Sequence, residues 1–256
     1  MIKFLTSLRL ICLLLLGSSV LAQQTKQKPP VQETKAAVKK KVKTKFFGKK
    51  PIPFINTALT FAGPMNKIGR DGIQCDLPAA VSGKDGKALI SYLEWDGKTD
   101  RLILSRKIKK GFQQVSADVA KGVLHKPAIA IDGKGTAWIF WSETHGDTTV
   151  DLKARSWSAS KGFGSPLTLA DSDAAEAFVV AGTDSNGRVW ASWQSFRAGE
   201  ADIYARFLDP KSGKWSKEIA VATQQGGDWE PSIAFDQKGQ AWIVYDSSRG
   251  NEFNLN

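Results

Sequence analysis

Four positions at matching points along this chain carry different polar chemistry. Asp96, His145, Arg197 and Arg249 each stand four residues beyond an aromatic, after Tyr92, Trp141, Trp193 and Tyr245. A second group, His125, Glu176 and the run Asp228-Trp229-Glu230, lies before corresponding apolar segments. Carboxylates beside cations can hold a polar ligand or move protons, and an indole can stack on a sugar ring. Glycoside hydrolysis needs two carboxyl groups about 5–10 Å apart, which is a tertiary fact. The same residues also read as ordinary solvated loop positions, and both readings stay open. Other chemistry is scarce. The histidines are two in number, with no His-Glu-x-x-His or paired Cys spacing, so no zinc site is expected. No Gly-x-Ser-x-Gly elbow or phosphate loop is present. Asp71-Gly72, Asp96-Gly97 and Asp132-Gly133 read as turns, with calcium on a carboxylate cluster as the alternative. The expectation is no metal, no cofactor, and binding rather than catalysis.

The elements that position these residues repeat. LPAAVSGKDGKALISYLEW, KPAIAIDGKGTAWIFWSET, FVVAGTDSNGRVWASWQSF and EPSIAFDQKGQAWIVYDSS align without gaps, and their ladders step by 49, 52 and 52 residues. Pro78, Pro127, Val179 and Pro231 match; so do Gly86, Gly135, Gly187 and Gly239, and then Leu89, Trp138, Trp190 and Trp242. Agreement across several residue types marks an internal repeat. Each unit reads as four short strands, with Pro opening the first and an Asp-x-x-Gly turn after it. In the first unit Gly83 replaces that Asp. The second strand, as in Ala137–Trp141, is apolar on both faces and must lie between neighbouring sheets, which stacked propeller blades provide. The tryptophan ladder then reads as core before sugar platform.

A third strand carries Arg106, Arg155 and Arg206, and a fourth begins at Phe112, Phe163 or Trp215. Recurrence in successive units favours arginines that bond neighbouring backbone or carboxylates over a ligand site. The Asp96/His145/Arg197/Arg249 loops and the connections carrying His125, Glu176 and Trp229 emerge on one face, where variation between units places specificity. The fourth unit is incomplete, because its third-strand Arg would fall beyond Asn256. Two accounts fit: the chain is a fragment, or residues 52–70 supply the missing outer strand and close a ring.

The net charge of +11 suggests an anionic partner until it is located. Residues 1–22 carry Lys3 and Arg9, and residues 23–53 carry ten Lys and one Glu, leaving 24 basic and 24 acidic residues in the body. Nucleic acid is therefore not an expected partner of the body. Residues 1–22 follow the secretory pattern, a basic start, the run LICLLLLGSSVL, then Val20 and Ala22 before a cleavage point. Residues 23–53, rich in Lys, Gln, Thr and Pro, read as a disordered linker. It is either a plain spacer or a weak contact to anionic membrane or cell wall. After cleavage Cys75 alone remains, so no internal disulfide forms and the thiol reads as a small buried hydrophobe. Residues 54–256 are the folded domain, expected as a monomer outside the cytoplasm, secreted or periplasmic.

The runs SWQSFRAGEADIYARFLDPKSGKWSKEIAVA and DWEPSIAFDQKGQAWIVYDSSRGNEFNLN resemble the repeat of bacterial secreted β-propellers, the sialidase-type and Tol-system relatives. The likeness spans about residues 70–256. It implies an all-β propeller of about four four-stranded blades, each of about 50 residues, the last incomplete. Function follows less closely, since such repeats encode blades and not activities. The sialidase Asp-box, Ser-x-Asp-x-Gly-x-Thr-Trp, is not reproduced, so its arginine mechanism does not transfer. Similar blades also precede hydrolase domains in larger exported proteins, and no segment here matches one. The expected function is a non-catalytic module that binds protein or carbohydrate through Asp96, His145, Arg197, Arg249, Glu176 and Trp229. The alternatives are a propeller-type glycan hydrolase or lyase, or the N-terminal module of a larger exported hydrolase.

Overall fold

The computed structural model describes residues 67–255 apart from Lys84, Asp147, Thr148 and Asn251. In it, the Asp-x-x-Gly segments form turns for the reason their composition predicts. Asp132 Oδ1 accepts the N–H groups of Lys134 and Thr136 at 2.8 and 2.9 Å. Asp184 and Asp236 repeat the arrangement at 2.9 Å, on Asn186 and Arg188 and on Lys238 and Gln240. Where Gly83 replaces the Asp, Asp85 takes over in part and accepts the Lys87 N–H at 3.1 Å.

Strands follow one another across each sheet, every pair antiparallel. Blade 1 holds β1 (Gln74–Ser82), β2 (Ala88–Trp95), β3 (Asp100–Lys107) and β4 (Phe112–Gly122). Blade 2 holds β5 (Ala128–Ile131), β6 (Ala137–His145) and β7 (Thr149–Ser158), with β8 (Gly162–Phe163) and β9 (Leu167–Ala170) both pairing with β7. Blade 3 holds β10 (Glu176–Thr183), β11 (Val189–Ser195), β12 (Asp202–Leu208) and β13 (Ile219–Ala222). Blade 4 holds β14 (Asp228–Phe235), β15 (Ala241–Arg249) and β16 (Glu252–Leu255). The first strands β1, β5, β10 and β14 touch in succession and form the inner edge. Antiparallel order then puts the loops between second and third strands, and the connections between blades, on one face. The Asp-x-x-Gly turns occupy the opposite face. The secretory segment, the Lys-rich linker and the candidate closing strand up to residue 66 lie outside the described residues.

Proline opens the first strand, as its missing N–H suggested, in blade 2, where Pro127 directly precedes β5. In blades 1 and 4 it sits inside a bulge. Leu77 and Pro78 intervene between the paired residues Asp76 and Ala79, and Glu230 and Pro231 between Trp229 and Ser232. Phe178 and Val179 do the same between Ala177 and Val180. Leu77, Phe178 and Glu230 take the left-handed region, at φ of 52, 54 and 50°. A bulge leaves residues outside the ladder, so a proline there forfeits no pairing.

The core lies between blades. Leu89, Leu93, Leu102 and Leu104 of blade 1 meet Ile129, Ala137, Ile139 and Trp141 of blade 2. Phe140, Leu152 and Ala154 on the other face of blade 2 meet Val189, Ala191 and Trp193 of blade 3. This two-sided burial is why the second strands read as apolar throughout. The tryptophan ladder follows with one exception. Trp138 and Trp190 are partly buried, whereas Trp242 faces away from blade 3 and is 57% exposed.

The third-strand arginines are not one set. Arg106 pairs with Leu89, but Arg155 and Arg206 pair with Ile139 and Ala191, one residue along the repeat. A one-residue offset turns a side chain to the other face of its sheet. Arg155 therefore reaches back to blade 1, donating to Val119 O at 3.0 Å and to Gly164 O of its own blade at 2.8 Å. Arg106 points toward blade 2 and donates to Gln113 Oε1 at 3.1 and 2.8 Å.

Candidate functional site

At the loop face, one cross-strand rung carries a carboxylate in every blade. The pairs are Cys75–Glu94, Leu124–Glu143, Glu176–Ser195 and Asp228–Ser247. The acid stands on the second strand in blades 1 and 2, and crosses to the first strand in blades 3 and 4. Glu94, Glu176 and Asp228 are fully buried, and each has an arginine partner. Burying a carboxylate without such a partner would cost several kcal/mol.

Arg197 and Arg249 supply the partners in blades 3 and 4. Arg197 donates to Glu176 Oε1 at 2.8 Å, to Glu218 at 2.6 and 3.2 Å and to Ser195 Oγ at 2.8 Å. Its guanidinium lies over the Tyr204 ring, 4.2 Å from the centroid. Glu176 is saturated, since Ser172 Oγ and Trp193 Nε1 also donate to it, at 2.5 and 2.6 Å. Arg249 grips both oxygens of Asp228, at 2.8 and 3.1 Å, and donates to Ser248 O at 3.0 Å. Both pairs are separated by 21 residues. That spacing was the available signal for the contact. Arg70 serves Glu94 from outside the repeat, at 2.7 Å, and no spacing pointed to it.

The remaining positions lie elsewhere. Asp96 caps its own loop, accepting the N–H groups of Lys98 and Thr99 at 3.0 and 3.1 Å. Those bonds hold its carboxyl below the usual carboxylate range. His145 ends β6, 3.4 Å from Asp151 Oδ2 and about half exposed. His125 Nε2 meets Thr144 Oγ1 at 2.9 Å, and burial lowers its pKa. The structure thus brings Glu176 and Arg197 together in blade 3, and leaves Asp96 in a loop of blade 1 and His145 at the end of β6 in blade 2.

Trp229 opens onto a cleft of about 790 Å³ between the loop after β11 and the connection into β14, which Phe196, Glu200 and Arg249 also line. Its indole lies so close over Gly227 that a Cβ there would come within 2.1 Å of the ring. The two walls are laced together: Gly226 N–H donates to Glu200 Oε2 at 2.7 Å, and Asp228 N–H to Ala201 O at 2.6 Å. Beside the cleft, Asp202 is buried and its pKa is raised, first by burial and then by Asp228 and Glu200. Phe196, Glu200 and Asp202 did not stand out in the sequence, because they become neighbours of Trp229 only when blade 4 stacks on blade 3. Among the described residues no three His, Cys, Asp or Glu side chains converge as a metal-binding group.

No protein-family model and no curated protein matches this chain. Solved structures do. An endo-arabinase from Bacteroides thetaiotaomicron is 15% identical with a TM-score of 0.51, over 75% of this chain and 78% of the other. An α-L-arabinofuranosidase from Fusarium graminearum is 15% identical at a TM-score of 0.51, over 73% and 61%. The chain is a β-propeller. A Hadza microbial sialidase is similar at a TM-score of 0.47 and 13% identity, over 71% of this chain and 43% of the other. At such identities the endo-arabinase and the arabinofuranosidase show the fold alone. Site chemistry must come from the propeller's own residues.

Proposed function

We propose that this propeller is exported and binds carbohydrate without cleaving it, in the cleft between blades 3 and 4. The observation that carries this reading is the pairing of two aromatics, Phe196 and Trp229, with Glu200 and Arg249 in one cleft of about 790 Å³. Sugars are recognised by aromatic faces and a few fixed polar groups, in pockets of about 300–1,000 Å³. Most carboxylates around the cleft already hold fixed partners, Glu176 and Glu218 on Arg197, Asp228 on Arg249 and Glu200 on Gly226. Carboxylates held this way are poor proton shuttles. The names of the two solved structures, both enzymes acting on arabinose-containing glycans, support a glycan as the ligand. The secretory pattern of residues 1–22 supports export, and the Lys-rich linker would add weak contact with anionic membrane or wall polymer.

A second reading rests on Asp202. A buried carboxyl with a raised pKa is what a general acid requires, and Asp228 would be its partner in a glycosidase. Glycan-array screening followed by titration calorimetry separates the two. Binding is expected to weaken about tenfold or more in Trp229→Ala, with no release of reducing sugar from any bound glycan. Asp202→Asn should bind normally. An array blank for every glycan overturns the carbohydrate reading, and sugar release abolished by Asp202→Asn establishes the hydrolase.

A further inference from the structure

Departures from the repeat converge on the turn face, where a second cavity of about 430 Å³ lies between blades 1 and 2. Leu89, Arg106, Trp157, Ile131, Lys87 and Lys134 line it. In the next two blades the position of Leu89 holds tryptophan. Trp138 packs edge-on to Trp215 at 5.5 Å, and Trp190 lies on Phe207 at 4.9 Å. Leu89 is smaller and leaves room. Its neighbour across the rung is Arg106, where blades 2 and 3 have Ser156 and Phe207. Opposite, β7 contributes Trp157 on the rung of Ala137, where blade 3 has Leu208. A space, a guanidinium and an indole therefore coincide at this interface.

The charges around the space are unequal in availability. Asp132 spends Oδ1 on its turn, and Asp85 holds the Lys87 backbone and side chain, the latter at 3.0 Å. Arg106 is held by the neutral Gln113, so its positive charge has no carboxylate set against it in that contact. A planar guanidinium suits a carboxylate, and an indole suits a ring.

We propose that this cavity binds a small carboxylated sugar of the uronic-acid type, its carboxylate on Arg106 and its ring against Trp157. The site is separate from the loop-face cleft and does not depend on the function proposed for that cleft. Its volume falls within the usual range for small-molecule pockets, about 300–1,000 Å³. The test titrates the full chain with D-galacturonate and D-galactose, which differ at the carboxylate, using calorimetry and saturation-transfer NMR. Saturable binding of galacturonate but not galactose is expected, weakened about tenfold or more by Arg106→Gln. Leu89→Trp, which restores the residue of the other blades, should block binding by filling the space. Thermal melting checks that both variants fold, and Arg106→Gln alone suffices if Leu89→Trp does not. Trp229→Ala should leave galacturonate binding intact. The proposal is overturned by absence of saturable binding, by equal binding of both sugars, by unchanged affinity in Arg106→Gln, or by loss only in Trp229→Ala.

Discussion

Asp184 and Asp202, at opposite ends of blade 3, are both buried yet titrate in opposite directions. Burial pushes both carboxyls up. At Asp184 it is outweighed by the Arg188 N–H, the Trp190 indole and the Arg188 guanidinium, so the folded pKa lies below the ordinary value. Its contribution is complete above the unfolded pKa and is lost as pH falls through the folded one. Asp184→Asn should therefore cost about 1–3 kcal/mol at pH 7 and flatten the acid limb of a stability profile. At Asp202 burial is reinforced by Asp228 and Glu200 against Arg197 and Arg249, and the folded pKa is raised. The folded state then holds the proton more tightly, so stability declines as pH rises from the unfolded toward the folded pKa. Asp202→Asn should stabilise by about 1 kcal/mol at pH 7, with the gain vanishing below about pH 4. Urea unfolding at a series of pH values reads both signs, and a destabilised Asp202→Asn at neutral pH would contradict this account.

The turn is the element most nearly dictated by residue type, yet its glycines do unequal work. Gly135 and Gly187 both take positive φ, 85 and 77°. A Cβ on Gly135 would meet nothing within 4 Å, whereas one on Gly187 would lie 2.8 Å from Gly133 Cα in the neighbouring turn. Gly135→Ala should cost about 1 kcal/mol, the strain of a left-handed alanine. Gly187→Ala carries that strain and must also push two backbones apart, so its loss should be at least about twice as large. Equal losses on denaturant unfolding would show that neighbouring turns are free to separate.

In blades 2 and 3, the second strand gives one face to the blade before it and one to the blade after it. Trp138 is gripped by blade 3 through Trp215 and helps to close the core between blades 2 and 3. Trp242, its counterpart in blade 4, is 57% exposed. Trp138→Ala should therefore cost about 3–5 kcal/mol, and Trp242→Ser less than about 1 kcal/mol. Thermal melts of the two variants make the comparison, and similar losses would mean that Trp242 is packed in solution.

The periodicity of Pro, Asp, Gly and aromatic residues was enough to read an all-β propeller of repeated blades, because turn chemistry and two-sided apolar strands are local properties. It read Arg197 and Arg249 as loop residues; Arg197 lies in the loop after β11, whereas Arg249 is the last residue of β15. Tertiary structure decided what those residues touch. Arg197 closes on Glu176, and Arg249 on Asp228, only because the rung at the end of the sheet aligns them. The faces of Arg106 and Arg155 turn on a one-residue difference in hairpin register that their recurrence along the chain conceals. Both cavities lie between blades, and a sequence repeated blade by blade describes each sheet but not the space where two sheets meet.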